Sequence, residues 1–414
     1  MSEEIKYLKK TNFAKQLKEL SARLQGKRVF IYGAGLLFQI AYKKYDFSYL
    51  NIIGISDMKF EETCDFMGIK AVKPDDIASC NPDVILVSIK EYKSLVKKFT
   101  NQFPEIEVLP LIKKPEIPAF LRRNINHNFW IESHGLHGKK PKNMSTIKKL
   151  SMKLDYLFGK IDIPQIEFNL TTKCTLRCKH CSNFIPQLCG DEHCPISIEE
   201  FKLQLTNLLK SANKVRNLLL LGGEPLLVKN LEEYLEFAAS KNKVEKVWIV
   251  TNGTLLLSDK LIETAKKYRN KTVIWLSNYS KNEELKSRLK HDKILKQIKD
   301  AELDYDYVED LNWGYTSPIG TEKLRDDSKE YFRECSNNCV AVFGGKVYVC
   351  PRAGVFDLKG IYTPAESETI DLNKKVTKKQ LKDFYSKETF SACNYCTVIE
   401  DRAKGKVIPA LQID

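Results

Sequence analysis

Short apolar runs alternate with amphipathic stretches of helical period along most of the chain. Residues 1–24 read as one short amphipathic helix. KRVFIYGAG then breaks from an apolar run, Val29 to Tyr32, into Gly33-Ala34-Gly35; NIIGISD ends in Asp57; DVILVSI runs from Asp83 to Ile89; and IEVLPL is a candidate fourth strand. Short apolar strands alternating with helices predict a parallel sheet, here over 25–112. Residues 113–160 follow neither period and read as a connector with one late helix around 145–158. His127, His134 and His137 fall there and read as surface-loop residues, since no ligand-like cysteine or carboxylate pattern accompanies them.

From Gln165 the alternation begins anew. IEFNL, NLLLLGG, VEKVWIV, TVIWLSN and ELDYDYVED read as strands, with helical segments such as SIEEFKLQLTNLLKSA and LEEYLEFAASK between them. Repeated βα units of this length predict a barrel or partial barrel over 161–330, with its chemistry at the C-terminal strand ends. From about 331 the pattern collapses into short strands, turns and cysteines, a small α+β region over 331–414.

Composition narrows this picture. The chain has 414 residues, enough for two to three domains. With 43% hydrophobic and 29% charged residues it is neither disordered nor fibrous. No run approaches the ~20 apolar residues of a membrane helix, and the start, MSEEIKYLKK, lacks the apolar stretch of a secretory signal. A cytoplasmic protein without a membrane partner is expected. The net charge of +14 raises nucleic acid as a partner. Only 12 of the 67 basic residues are Arg, however, and the Lys are spread along the chain. A solvated basic surface is therefore expected and a nucleic-acid site is not.

Twelve cysteines are many for a reducing compartment, where clustered thiols point to metal or redox chemistry. Two dense groups predict two sites. Cys174, Cys178 and Cys181 follow the first barrel strand with the spacing C-x3-C-x2-C. Three thiolates on one loop can hold three irons of a [4Fe–4S] cube and leave the fourth iron open; a zinc knuckle is the competing reading. Cys189 and Cys194 follow soon after and read as loop thiols without a role.

The segment LTTKCTLRCKHCSNF resembles the signature of the radical S-adenosylmethionine (SAM) superfamily, with the resemblance covering about 165–400. It implies that SAM chelates the open iron. The reduced cluster then cleaves SAM to methionine and a 5′-deoxyadenosyl radical, which abstracts a substrate hydrogen. A flavodoxin- or ferredoxin-type reductant is implied as well. The residue before the third cysteine, here His180, would contact the adenine. Gly222-Gly223-Glu224-Pro225 resembles the family's GGEP motif, its glycines admitting the ligand and Glu224 accepting from the SAM ammonium. Thr251-Asn252-Gly253 and Ser277-Asn278 end later strands, where polar SAM contacts are expected. A helix-capping turn is the other reading of Thr251-Asn252-Gly253.

In the tail, Cys335 is followed by nine residues, Gly345, four residues and Cys350. This is similar to the opening of the SPASM and twitch extensions of radical SAM enzymes. Cys339 competes as a ligand, and Cys393-x2-Cys396 adds a second pair. Five thiols are available for the four ligands of one auxiliary [4Fe–4S] cluster, with a zinc ribbon as the alternative. Such a cluster would take an electron from a product radical or position substrate. The spare thiol would allow hydrogen donation to a substrate radical and so epimerisation. At the other end, the turn at Gly33 and Gly35 with Asp57 about 20 residues later has the form of a dinucleotide-binding turn. Phe38 stands in place of the third glycine. The turn resembles the Rossmann-like modules appended to some sugar-modifying and methyl-transferring enzymes. A bound nucleotide or dinucleotide, a nucleotide-linked substrate and a plain structural module are all compatible with it.

The expected protein is thus α/β: a Rossmann-like sheet, a partial (β/α)6 barrel and a cysteine-rich α+β tail. Its expected activity is oxidation or epimerisation of a small molecule, a sugar or nucleotide-sugar being favoured by the first domain. Peptide modification is the alternative, and a metal-bound scaffold that binds nucleic acid is the non-enzymatic one.

Overall fold

The computed structural model describes residues 3–90, 92–113, 154–155, 158–188, 196–307, 313–321, 324–335 and 339–413. The three connector histidines, most of the connector with its late helix, and Cys189 and Cys194 lie outside these residues. The chain forms two compact units, residues 1–116 and 117–414. Among the described residues no helix is long and apolar enough to cross a membrane.

In the first unit the N-terminal stretch is two helices, α1 (Glu3–Lys10) and α2 (Phe13–Arg23), where the pattern predicts one. The break is local chemistry. The Thr11 hydroxyl bonds back to the Tyr7 and Leu8 carbonyls, and Asn12 takes the left-handed conformation. Six strands follow: β1 (Arg28–Tyr32), β2 (Asn51–Ser56), β3 (Cys64–Phe66), β4 (Ile69–Val72), β5 (Val84–Val87) and β6 (Glu107–Pro110), in the order β3-β4-β2-β1-β5-β6. All pair in parallel except β3 with β4. The strand order reverses at β1, so the carboxyl ends of β1 and β5 flank a switch point. Helix α3 (Leu36–Lys44) leaves that end.

The second unit is built on one eight-stranded sheet. Strands β7 (Asp162–Asn169), β8 (Lys214–Leu221), β9 (Val244–Thr251), β10 (Thr272–Leu276) and β11 (Asp304–Asp306) pair in parallel and in sequence. The sixth parallel strand, β12 (Val340–Phe343), comes from the cysteine-rich tail and pairs with β7 on the other edge. β13 (Lys346–Tyr348) and β14 (Ile370–Asp371) continue antiparallel from it. Tail and barrel therefore share one sheet.

Period-2 alternation sorts the strand residues. On β7, Ile166 and Phe168 join the main apolar core beneath the helices, where Phe168 meets Phe201 edge-on at 5.1 Å. The alternate row, Gln165, Glu167 and Asn169, is polar and buried. Leu219, Leu221, Trp248 and Val273 form a separate apolar cluster with Val250 and Trp275 packed on it. This gives the barrel one polar and one apolar inner wall.

Candidate active site

A cavity of about 420 Å³ opens at the strand ends of the second unit. It is lined by Cys174, Cys178, Cys181 and His180 from the signature loop, by Gly222 and Gly223 after β8, by Thr251 and Asn252 after β9, and by Ser277 after β10. The structure thus gathers these sequence-predicted residues on one void. Glu224 and Pro225 do not line it.

The glycines also let two backbones meet. A Cβ on Gly222 would lie 2.2 Å from the Thr171 carbonyl oxygen, and one on Gly223 would lie 2.2 Å from that of Lys173. The Gly223 and Glu224 N–H groups donate to those two carbonyls at 2.7 and 2.9 Å. What the missing side chains admit is the signature loop itself. Glu224 is fully buried and turned away from the cavity. Its carboxylate accepts from the Thr251 hydroxyl at 2.8 Å, the Asn252 N–H at 2.8 Å and the Leu226 N–H at 3.1 Å. Burial pushes its pKa up to about 7 against those three bonds.

Asn252 closes a ring of hydrogen bonds under the signature loop. Its Nδ2 donates to Thr175 Oγ1 at 3.0 Å, Thr175 and Thr254 hydroxyls meet at 2.6 Å, and Thr254 Oγ1 donates to Asn252 Oδ1 at 2.7 Å. Nδ2 also lies 3.6 Å from Cys174 Sγ. Here Thr251 and Asn252 position the loop that carries the cysteines, and each presents only part of itself to the cavity.

Two distant segments complete the loop. Residues 411–413 run antiparallel beside it: Lys179 N–H donates to Leu411 O at 2.7 Å, Ile413 N–H to Arg177 O at 2.8 Å, and Cys178 forms an isolated bridge with Gln412. Gln412 Nε2 also points at Cys178 Sγ, at 3.7 Å. The second segment, 313–316, holds His180. Nδ1 of the imidazole lies 2.9 Å from Thr316 O, Trp313 Nε1 donates to His180 O at 3.0 Å, and Tyr315 packs on the ring at 4.4 Å.

The donor set fits an iron–sulfur cluster. The three cysteines share one end of the cavity, and amide donors aim at two of their sulfurs. Burial pushes the Cys174 thiol up to about 11 and the Cys178 thiol up to about 12, with the neighbouring signature thiols adding to it. Ligation by a cation reverses that cost by taking the thiolate form. Among the described residues no three of His, Cys, Asp and Glu converge as the ligands of one metal ion do.

The tail cysteines divide. Cys335, Cys350, Cys393 and Cys396 line a second, smaller cavity. Cys339 lines the first one, with Glu167. Arg352 and Val398 belong to the walls of both. Arg352 is itself pinned by a buried ion pair with Asp401 at 2.7 Å, and Asp401 also accepts from Thr397 and from the Ser317 hydroxyl and N–H. Burial alone would raise the Asp401 carboxyl, but the Ser317 donors and the Arg352 guanidinium hold it below the usual carboxylate range.

Sequence reasoning missed Glu167, Arg352 and the 313–316 segment. A signal existed for Glu167: three polar residues at period two within a strand otherwise apolar mark a barrel-interior row. None existed for the segment, whose position depends on a long-range path.

In the first unit, Gly33 adopts φ +104°, and a Cβ there would lie 2.9 Å from Ile89 Cγ1. Gly35 stands at the N-terminus of α3 with open space around it. Asp57 is occupied: Oδ2 accepts from the Ala34 N–H at 2.7 Å and Oδ1 from the Lys59 N–H at 3.3 Å. Its carboxylate buttresses the turn, where the sequence reading assigned it to ribose.

Two outcomes are expected. Glu224→Ala strands three buried donors at roughly 1–3 kcal/mol each, so the thermal midpoint of the second unit should fall by several degrees; an unchanged midpoint would show the network to be dispensable. Asp401→Asn leaves Arg352 buried and unpaired, costing about 3–5 kcal/mol. Because the Asp401 pKa is depressed, its contribution is complete above the ordinary aspartate pKa and is lost as the pH falls through the depressed one. The melting curves of the two proteins, recorded against pH, should therefore converge only in acid.

The radical SAM superfamily profile matches residues 168–302. Over 96 residues the chain is 28% identical to the GTP 3′,8-cyclase of Syntrophomonas wolfei, covering 23% of this chain and 28% of that protein. Over 114 residues it is 32% identical to the Fe-coproporphyrin III synthase of Methanosarcina barkeri, covering 27% of each. Over 140 residues it is 32% identical to molybdenum cofactor biosynthesis protein 1 of Dictyostelium discoideum, covering 33% and 21%. The chain thus spans only about a quarter of the length of these relatives. Among solved structures, native anSMEcpe with bound AdoMet superposes with a TM-score of 0.38 at 15% identity, over 57% of this chain and 83% of that one. The profile begins on β7, whose end carries the three cysteines, and it spans the glycine turn that seats them: residues 168–302 form a radical SAM domain, the kind of domain that uses a [4Fe–4S] cluster and SAM.

Proposed function

We propose that this enzyme abstracts a hydrogen atom from a small molecule bound in the 420 Å³ cavity, with oxidation or epimerisation as the outcome and a sugar or nucleotide-sugar as the substrate class. The observation that carries the proposal is the convergence of Cys174, Cys178 and Cys181 with Gly222, Gly223, Asn252 and His180 on that one cavity. The cofactors, when bound, supply a 5′-deoxyadenosyl radical, given one electron from a flavodoxin- or ferredoxin-type carrier. The chain's own residues do the rest. The glycine turn and the Asn252 ring fix the cysteine loop. His180, clamped by Trp313 and Thr316, offers its imidazole to the adenine. The apolar wall of Val250 and Trp275 shields the reacting carbon from water.

The second cavity supports an auxiliary [4Fe–4S] cluster held by Cys335, Cys350, Cys393 and Cys396, one cluster's complement of thiolates. Burial pushes the Cys393 thiol up to about 12 and raises Cys350 strongly. The sugar-nucleotide class rests on the turn at Gly33 and Gly35, which leads into the N-terminus of α3 at the sheet's switch point.

Anaerobic reconstitution should give roughly eight irons per chain, two cubes of four. Replacing Cys174, Cys178 and Cys181 together by Ala should remove about half of them and abolish 5′-deoxyadenosine formation; SAM cleavage surviving in that variant would overturn the assignment. For the first unit, Gly35→Val meets open space in the fold and should leave its stability unchanged while weakening UDP-sugar or NAD binding at least tenfold by calorimetry. If the parent binds neither, the unit is a structural module.

A further inference from the structure

Five tail cysteines stand near a site that needs four ligands, and one of them lines a different cavity from the rest, although Cys335 and Cys350 lie close enough to act on its thiol electrostatically. Cys335, Cys350, Cys393 and Cys396 share the small cavity, whereas Cys339 opens into the reaction cavity. Its surroundings there are specific. The Cys339 thiol donates to the Glu167 carboxyl, and Gln165 Nε2 donates both to Glu167 Oε1 at 2.9 Å and to Cys339 Sγ at 3.6 Å. Glu167 is buried on the polar inner row of β7. In the β7–β12 pairing, Val340 stands opposite Ile166, which places Cys339 level with Gln165. Gln165 lies four residues below the β7 end, about 13 Å at 3.3 Å per residue. The signature cysteines sit beyond that end. A substrate in the cavity would therefore face the SAM end on one side and the Cys339 thiol on the other.

We propose that Cys339 is a catalytic residue, the hydrogen-atom donor to the substrate radical, with Glu167 as the proton source that restores it. The inference rests on the radical reading above and selects epimerisation over oxidation. The balance closes as follows. Loss of a hydrogen atom toward the SAM side leaves a carbon-centred radical on the substrate. The Cys339 S–H bond breaks homolytically, its hydrogen atom forms a C–H bond on the opposite face, and a sulfur-centred radical remains on Cys339. An S–H bond is weaker than the C–H bonds of a sugar ring, so the transfer runs downhill. One electron and one proton return that sulfur to the thiol. The electron comes from the same class of low-potential carrier that drives SAM cleavage, and the proton comes from the Glu167 carboxyl, which solvent reprotonates. Each turnover thus consumes one SAM, two electrons and one proton, and the substrate leaves with its composition unchanged and one centre inverted.

The test uses the full chain, reconstituted anaerobically. Iron is counted first in the parent and in Cys339→Ser, and equal iron is expected; loss of about four irons would make Cys339 a cluster ligand and overturn the proposal. Iodoacetamide followed by peptide mass mapping should label Cys339 in the iron-loaded parent while the seven iron-bound thiols stay protected. A protected Cys339 would also overturn it. Turnover in D2O with SAM, dithionite and a panel of UDP- and GDP-sugars should then place one deuterium at one carbon of a recovered sugar, and Cys339→Ser should lower that incorporation at least tenfold. Formation of 5′-deoxyadenosine without deuterium in any sugar, or with a sugar two hydrogens lighter, sinks the donor role while leaving radical chemistry intact. Absence of 5′-deoxyadenosine from the parent reaction sinks the radical reading itself.

Discussion

Everything at the strand ends depends on two glycines that leave no room for a side chain. The backbone after β8 and the backbone of the signature loop approach until a Cβ on either glycine would sit 2.2 Å from a carbonyl oxygen. At that separation the two loops exchange direct N–H to carbonyl bonds. The approach fixes where Cys174 begins, and Glu224, one residue further, reaches back to fix the end of β9. One short turn thereby locates two of the four strand ends that carry the site. Side chains are imprecise rulers because they have rotamers; backbone contact has none.

The inner surface of the barrel is asymmetric, and the asymmetry has a chemical meaning. The apolar wall excludes water from any reactive carbon. The polar wall, Gln165, Glu167 and Asn169, is buried yet hydrogen-bonded. Asn169 also donates to Val342 O on the tail strand at 3.3 Å, so this wall welds tail and barrel together. The Arg352–Asp401 pair performs the same service further out, tying two tail helices to the segment that carries Ser317. A buried pair of this kind is weak evidence for stability but strong evidence for a fixed geometry between the two cavities it borders.

Local signals in the sequence were legible, and long-range pairings were not. The βα alternation read correctly from apolar period because the central strands, such as β5 and β7, are buried on both faces. Cys174, Cys178 and Cys181 could be grouped from spacing because they share one loop, and they line one cavity. The β3–β4 hairpin escaped because its turn is Met67-Gly68, both residues at positive φ, and Met is not a residue that announces such a turn. Glu224 was read from its neighbours in a motif, whereas its direction is set by three donors, two of them brought up by β9. The partner of β12 could not be read at all: nothing local in VAVF distinguishes pairing with β7 from pairing with β11. Asp57 also accepts from the Ala34 N–H, a contact that its spacing alone did not reveal.

The segment at 411–413 pairs with the cysteine loop across a gap of some 235 residues, as the Arg177–Gln412 bond records. Synthesis at 5–20 residues per second puts roughly 10–50 s between emergence of the two partners. During that interval the barrel strands, the glycine turn and the Asn252 ring can form, while one flank of the cysteine loop still lacks its partner segment. Iron delivered early meets thiols on a loop whose edge is open; iron delivered late meets a loop already paired. The order of translation thus gives the cysteine loop an interval with one open edge before the segment at 411–413 pairs with it.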